Sequence, residues 1–180
     1  MHILMLVGSL RADSWTAQLT DSVADLLPAG VTSQVYADLG ELPHYSQDLD
    51  TDRPPAAVVA FRDAVAAADG LVVATPEYNG SIPGVLKNAI DWASRPRGEA
   101  AITGRPVAVL SVSPSPRGAR WAREDAVKIL GVAGAVPLAD SVGVASVHSA
   151  VVDGRIADEE IERELSALMA ALVAAERKAA

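Results

Sequence analysis

Residues 3–19, ILMLVGSLRADSWTAQL, carry the reading on which the fold turns. Ile3–Val7 is a continuous apolar run of strand length, as expected of a strand covered on both faces. Gly8-Ser9 ends it. From Ser14 to Leu27 apolar residues recur at helical spacing (Trp15, Leu19, Val23, Leu26), and Pro28-Ala29-Gly30 closes the run. A buried strand passing through a short polar link into a helix is the first half of a parallel-sheet crossover. The link has neither the Lys-Ser/Thr pair of a Walker loop nor a three-glycine dinucleotide fingerprint. It does place Ser9, Arg11 and Ser14 just ahead of a helix. Two hydroxyls, a planar cation and free helix amides suit a terminal phosphate. Asp13 or Ser14 serves equally as a plain helix cap, so the residues alone leave both readings open. Asp13 would repel a phosphate and is read as facing outward.

The alternation continues along the chain. Val31–Tyr36 reads as a weaker strand, followed by a long irregular link rich in Pro and Asp. Ala56–Ala68 reads as a helix, Leu71–Thr75 as a buried strand and Pro83–Ala93 as a helix with Pro in its first turn. Val107–Val112 is a strand, Trp121–Ala133 a helix, and Val136–Val144 contains the last strand. From Asp158 a final helix sets Ile161, Leu165, Leu168 and Leu172 on one face. Its first turn holds Asp158, Glu159 and Glu160, and Arg177 and Lys178 lie near its end, each matching the helix dipole. Five strands and five helices in alternation, without repeats or a linker, predict one three-layer α/β domain over residues 1–180.

Composition narrows the function. Half of the 180 residues are hydrophobic but only 4% are aromatic, so the core must be mostly Val, Leu, Ile and Ala. A formal charge of −8 argues against nucleic acid as a partner, because such binding relies on Lys and Arg neutralising phosphates. There is no cysteine, which removes thiol catalysis, disulfides and Cys-ligated metals. No apolar window approaches the ~20 residues that span a bilayer, and MHILMLVGSL lacks the marks of a leader. The expectation is a cytoplasmic protein that does not enter membranes.

In an open α/β sheet, ligands bind beyond the carboxyl ends of the strands. Three links there are dense in polar, Gly and Pro residues: GSLRADS, TPEYNGSIPG and SVSPSPRGAR. In the second, turn amides at Glu77-Tyr78-Asn79-Gly80 can bond the edge of a flat heterocycle while Tyr78 covers its face. Asn-Gly is equally an ordinary turn dipeptide. The third, Ser113 to Gly118, can wall a planar ligand or be only a loop stiffened by Pro. Lys87 and Asp91, one helical turn apart, read as a surface pair, and Trp92 reads as packing. Asp48, Asp50 and Asp52 imitate the start of a calcium loop, but Arg53 and Val59 stand where such a loop needs Gly and Glu. His2, His44 and His148 are scattered and read as surface or packing residues. No metal site is expected.

GSLRADSWT followed by TPEYNGSIPGVLKNAIDWASRP resembles the NADPH-dependent FMN reductase family, flavodoxin-like quinone and azo-dye reductases included. Fainter echoes in LPHYSQDLD and VVDGRIADE extend the likeness over nearly the whole chain. The resemblance implies a flavodoxin-like three-layer α/β/α sandwich with a five-stranded parallel sheet in the order 2-1-3-4-5. It implies FMN as cofactor, NADPH or NADH as hydride donor, a quinone, azo compound or similar acceptor, and a homodimer or homotetramer. By the same likeness Ser9, Arg11, Ser14 and Thr16 would hold the FMN phosphate. Pro76, Glu77, Tyr78, Asn79 and Gly80 would line the isoalloxazine largely through backbone atoms, and Ser113 and Gly118 would close the ring pocket. The chemistry would lie on the flavin, with no catalytic side chain. Two departures from the family pattern are Thr16, where Asn is usual, and Arg117-Gly118-Ala119-Arg120-Trp121-Ala122, where Gly-Gly-Ala-Arg-Ala-Gln is usual. Thr16 can still donate one hydrogen bond, so its effect is expected to be modest; Arg117 and Trp121 add bulk and charge near the expected ring site and bear on nicotinamide access and acceptor choice. Two other readings stay open: a flavodoxin-like electron-carrier module without its own NAD(P)H turnover, and a relic that no longer binds flavin.

Overall fold

A computed structural model describes residues 1–179, with side chains through Glu176; the side chains of Arg177 and Lys178 lie outside the described residues. The strands are β1 (His2–Val7), β2 (Thr32–Val35), β3 (Gly70–Thr75), β4 (Pro106–Val112), β5 (Val136–Pro137) and β6 (Val142–Val144). All pair in parallel in the order β2-β1-β3-β4, and β5 and β6 both add to the far edge of β4. This is the expected 2-1-3-4-5 order, with the fifth place shared by two short strands. Pro137 is tolerated there because an edge strand can lack an N–H.

Every residue of β3 and β4 is buried, because both sheet faces are covered. Side chains alternate between the faces. Leu4, Leu6, Leu71, Val73, Val107 and Val109 enter one apolar layer beneath α2 (Ala56–Ala67), α3 (Gly84–Ala93) and α4 (Arg120–Val132). Ile3, Met5, Val72, Ala74, Ala108, Leu110 and Val112 enter the other, beneath α1 (Trp15–Asp25) and the last helix. The register sets Leu4 beside Leu71 and Leu71 beside Val107, so the central rows run unbroken across the sheet.

Beyond β6 the chain departs from simple alternation. A single helical turn, α5 (Val147–Ala150), leads into a hairpin of β7 (Val151–Val152) and β8 (Arg155–Ile156). Asp153 and Gly154, both at positive φ, make its two-residue turn. The Gly154 carbonyl accepts from Ser22 Oγ at 2.8 Å, which seats the hairpin on α1. Then α6 (Glu159–Ala179) begins, capped by Asp158 Oδ1, which accepts from the amides of Glu160 and Ile161.

The long link between β2 and α2 is held by side chains of the helices. Asn88 Oδ1 accepts from the Tyr45 amide at 2.8 Å, and Trp92 Nε1 donates to the Pro43 carbonyl at 2.7 Å. Asp50 pairs with Arg62 at 2.8 Å, so this acidic residue steadies the link.

Candidate functional site

The chain leaves β1 for β2 on one side, then returns to β3 on the other. That reversal opens a crevice at the carboxyl ends of β1 and β3, where ligands of such sheets sit. A cleft of about 520 Å³ lies there. It is lined by Ser9, Arg11, Ser14, Trp15 and Thr16 from the first link, Pro76, Glu77 and Tyr78 from the second, and Val112, Ser113 and Pro114 from the third, with His148 beside them. Residues far apart in sequence are thus gathered in one place. Asn79, Gly80 and Gly118 are outside the lining and shape the loops that form it.

The first link is built to present donors. Gly8 N donates to the Ala74 carbonyl at 2.8 Å, extending the β1–β3 ladder to the mouth of the cleft. Ser14, almost fully buried, caps α1: its Oγ accepts from the Ala17 amide at 3.1 Å. A hydroxyl has one donor and two acceptor positions, so capping leaves its O–H free to bond an anion. The cap and phosphate readings are therefore compatible. The amides of Trp15 and Thr16 find no acceptor within the described protein and point out of the helix start. Arg11 is exposed and makes no ion pair among the described residues.

The second link folds back on itself. Tyr78 and Ser81 exchange backbone bonds of 3.0 and 3.2 Å around Asn79 (φ 53°) and Gly80 (φ 78°). Two successive positive φ values define a type I′ turn, which Asn-Gly adopts at least cost. Tyr78 is left 52% exposed, free to lie against a ligand. Two side chains pin this turn to α4. Ser81 Oγ donates to Asp125 Oδ2 at 2.8 Å. Hydrogen bonds from Lys128, and then from Ser81, hold the Asp125 carboxyl below the usual carboxylate range. Glu77 Oε2 accepts from the amides of Trp121 and Ala122 at 3.0 and 3.2 Å.

That use of Glu77 is absent from the sequence reading, which gave it a backbone role. Helix α4 starts after Ala119 in the left-handed region and has no side-chain cap of its own. Glu77, more than forty positions earlier in the chain, supplies the missing acceptor. Glu77→Ala is expected to lower stability by ~1 kcal/mol, the usual loss for a helix cap, seen as a lower midpoint in urea unfolding.

The third link is anchored from below. Ser111 Oγ donates to the Gly118 carbonyl, and Arg123 Nη1 donates to Ser111 Oγ at 3.2 Å. Burial pushes the Arg123 guanidinium below its usual range. Beyond β6, Ser146 N donates to the Ser115 carbonyl and Val147 N to the Ser113 carbonyl, at 3.1 and 3.2 Å. This strap carries His148 to the cleft, edge-on to Trp15 with centroids 5.2 Å apart. In the sequence His148 reads as scattered, because it lies outside the three dense polar links. Its place just after the last strand was the available signal.

A second cleft of about 520 Å³ lies between α3, α4 and the 95–103 loop, lined by Lys87, Arg95, Arg97 and Lys128 among others. It draws on none of the three links.

A model of the family described as NADPH-dependent FMN reductase matches residues 1–149. The chain belongs to that family. Among curated relatives, 2-hydroxy-1,4-benzoquinone reductase of Burkholderia sp. is 50% identical over 113 residues, covering 63% of this chain and 61% of the relative. Quinone reductase of Pseudomonas putida is 41% identical over 112 residues, covering 62% and 60%. The chain thus spans about three fifths of the length of these relatives. Among solved structures, FerB, the flavoenzyme NAD(P)H:(acceptor) oxidoreductase of Paracoccus denitrificans, superposes with a TM-score of 0.86 at 33% identity, covering 98% of this chain and 97% of that one. A flavodoxin of Pseudomonas aeruginosa shares the fold at 16% identity, with a TM-score of 0.59 and 98% and 99% coverage. The family's fold is the flavodoxin-like sandwich described above.

Proposed function

We propose that this chain is an FMN-dependent NAD(P)H oxidoreductase whose acceptor is a quinone, an azo compound or a similar small molecule. The observation that carries the reading is the gathering of three links into one cleft with a donor-rich end and a turn that leaves Tyr78 exposed. Family membership and the quinone reductases among the relatives support it. Bound FMN would supply the hydride-transfer chemistry between nicotinamide and acceptor.

The chain's own part is to hold and orient. Arg11, the hydroxyls of Ser9 and Ser14, and the amides of Trp15 and Thr16 would take the phosphate, with Thr16 in the place of the usual Asn. His148 would add a ring N–H near the same end. Because the Tyr78 amide is engaged by Ser81, the amides of Glu77, Asn79 and Gly80 are the ones left for a ring edge. Tyr78 and Ser113 would flank the ring, and Gly118 would fix the loop behind it.

A cysteine-free enzyme that consumes reduced nicotinamide suits the reducing cytoplasm. No helix among the described residues is long and apolar enough to cross a membrane. A homodimer or homotetramer is carried over from the family resemblance alone.

The test is direct. Under anaerobic conditions FMN-loaded protein is expected to turn over NADPH or NADH continuously only when 1,4-benzoquinone is present, beyond the stoichiometric reduction of its flavin, followed by loss of nicotinamide absorbance. An electron carrier would leave both nucleotides untouched, and that result would contradict the proposal.

A further inference from the structure

Next to the cleft lies a separate cavity of about 430 Å³, lined by Glu77, Pro116, Arg117, Arg120 and Trp121. It shares Glu77 with the cleft. Trp121 is 52% exposed and leans over the ring-side turn: a Cβ on Gly80 would stand 3.6 Å from Trp121 Cε3. Arg117 stacks on the indole with Cζ 5.3 Å from the ring centroid, and among the described residues it makes no ion pair. Arg120 is paired only through Nε, to Glu124, in a solvent-exposed contact of the kind that binds weakly. Glu77 is the one carboxylate in the lining, and the α4 amides already engage it. The cavity therefore offers an aromatic wall and two guanidiniums with free N–H groups, against one carboxylate whose Oε2 is engaged by the α4 amides. On a chain of formal charge −8 the lining sets two guanidiniums against one carboxylate, so it is less acidic than the chain as a whole.

We propose that this cavity is an acceptor subsite selective for planar quinones bearing a negative charge beside the ring. The quinone plane packs on Trp121, and the anionic substituent bonds Arg117, with Arg120 adding to the field. The proposal rests on the flavin reading, since the adjoining cleft must deliver the electrons. The overall reaction is NAD(P)H + quinone + H⁺ → NAD(P)⁺ + hydroquinone. The nucleotide loses a hydride, the quinone gains two electrons and two protons, and the anionic substituent is unchanged. The phosphates of the nicotinamide dinucleotide share the anionic chemistry, so the two half-reactions must be read separately.

The experiment compares wild type with Arg117→Gln, which removes the charge while keeping a polar, unbranched side chain. Rapid mixing of the NADPH-reduced holoprotein with 1,4-naphthoquinone-2-sulfonate or neutral 1,4-naphthoquinone reads the acceptor half. Mixing the oxidised holoprotein with NADPH reads the donor half. The variant is expected to lose roughly tenfold in apparent second-order rate constant with the sulfonate, as for loss of one hydrogen bond to a charged group. The neutral quinone and NADPH should be little affected. Equilibrium dialysis of 2-naphthalenesulfonate, which cannot be reduced, should show a parallel loss of binding. Equal losses with both quinones, no loss with either, or a loss confined to NADPH would overturn the subsite. A wild-type protein that takes up no FMN would instead overturn the function and the subsite together.

Discussion

Arg11→Ala is expected to weaken FMN binding by about 10- to 100-fold, the range for a lost hydrogen bond to a charged group. Riboflavin binding should stay unchanged, because riboflavin lacks the phosphate. The melting temperature should hold as well. Arg11 is exposed and has no ion-pair partner among the described residues, so its removal leaves no buried group unsatisfied. Arg11→Lys should fall between wild type and the Ala variant, since an ammonium keeps the charge but loses the planar fork. Isothermal titration with the two flavins makes the comparison. Equal losses for FMN and riboflavin would place Arg11 against the ring and contradict the phosphate assignment.

Trp92→Ala is expected to cost about 3–5 kcal/mol, the range for emptying a large aromatic site in a core. Trp92 is the largest fully buried side chain, and three contacts depend on its indole. Its Nε1 donates to the Pro43 carbonyl at 2.7 Å, Tyr45 meets it edge-on at 4.9 Å, and Arg62 stacks over it at 5.4 Å. The same Arg62 holds Asp50, so the cavity would loosen the link between β2 and α2 as well as the core. Trp92→Phe should lose much less, because Asn88 Nδ2 still donates to the Pro43 carbonyl at 3.0 Å. Chemical denaturation reads both variants. A loss under ~1 kcal/mol for the Ala variant, in the range of an ordinary surface substitution, would show that the link does not depend on this indole.

What the sequence made legible follows from covalent nearness. The central strands were readable because burial on two faces leaves a continuous apolar run, as in Leu71–Thr75. Ser9, Arg11 and Ser14 are readable because the proposed phosphate end lies within one link. The edge was harder. Val136–Val144 is expected to contain a single last strand, yet both of its ends pair with β4 as separate short strands, and the polar Asp140-Ser141 between them marks the break. The hairpin at Val151–Ile156 has two residues per strand, too few for a period to show. At the site, the misses are all contacts made through space. Glu77 caps a helix that begins more than forty residues later. His148 arrives by a strap bonded to the third link, and Trp92 finds its acceptor in a link with no pattern of its own.

The proposed function requires a phosphorylated flavin lying across the carboxyl ends of β1, β3 and β4. Its most direct test is titration of the flavin-free protein with FMN and, separately, with riboflavin. Saturation at one FMN per chain, with riboflavin bound at least tenfold more weakly as loss of a charged hydrogen-bond set implies at roughly this scale, is the expected result. No saturable binding of FMN, or equal affinity for the two flavins, would contradict it.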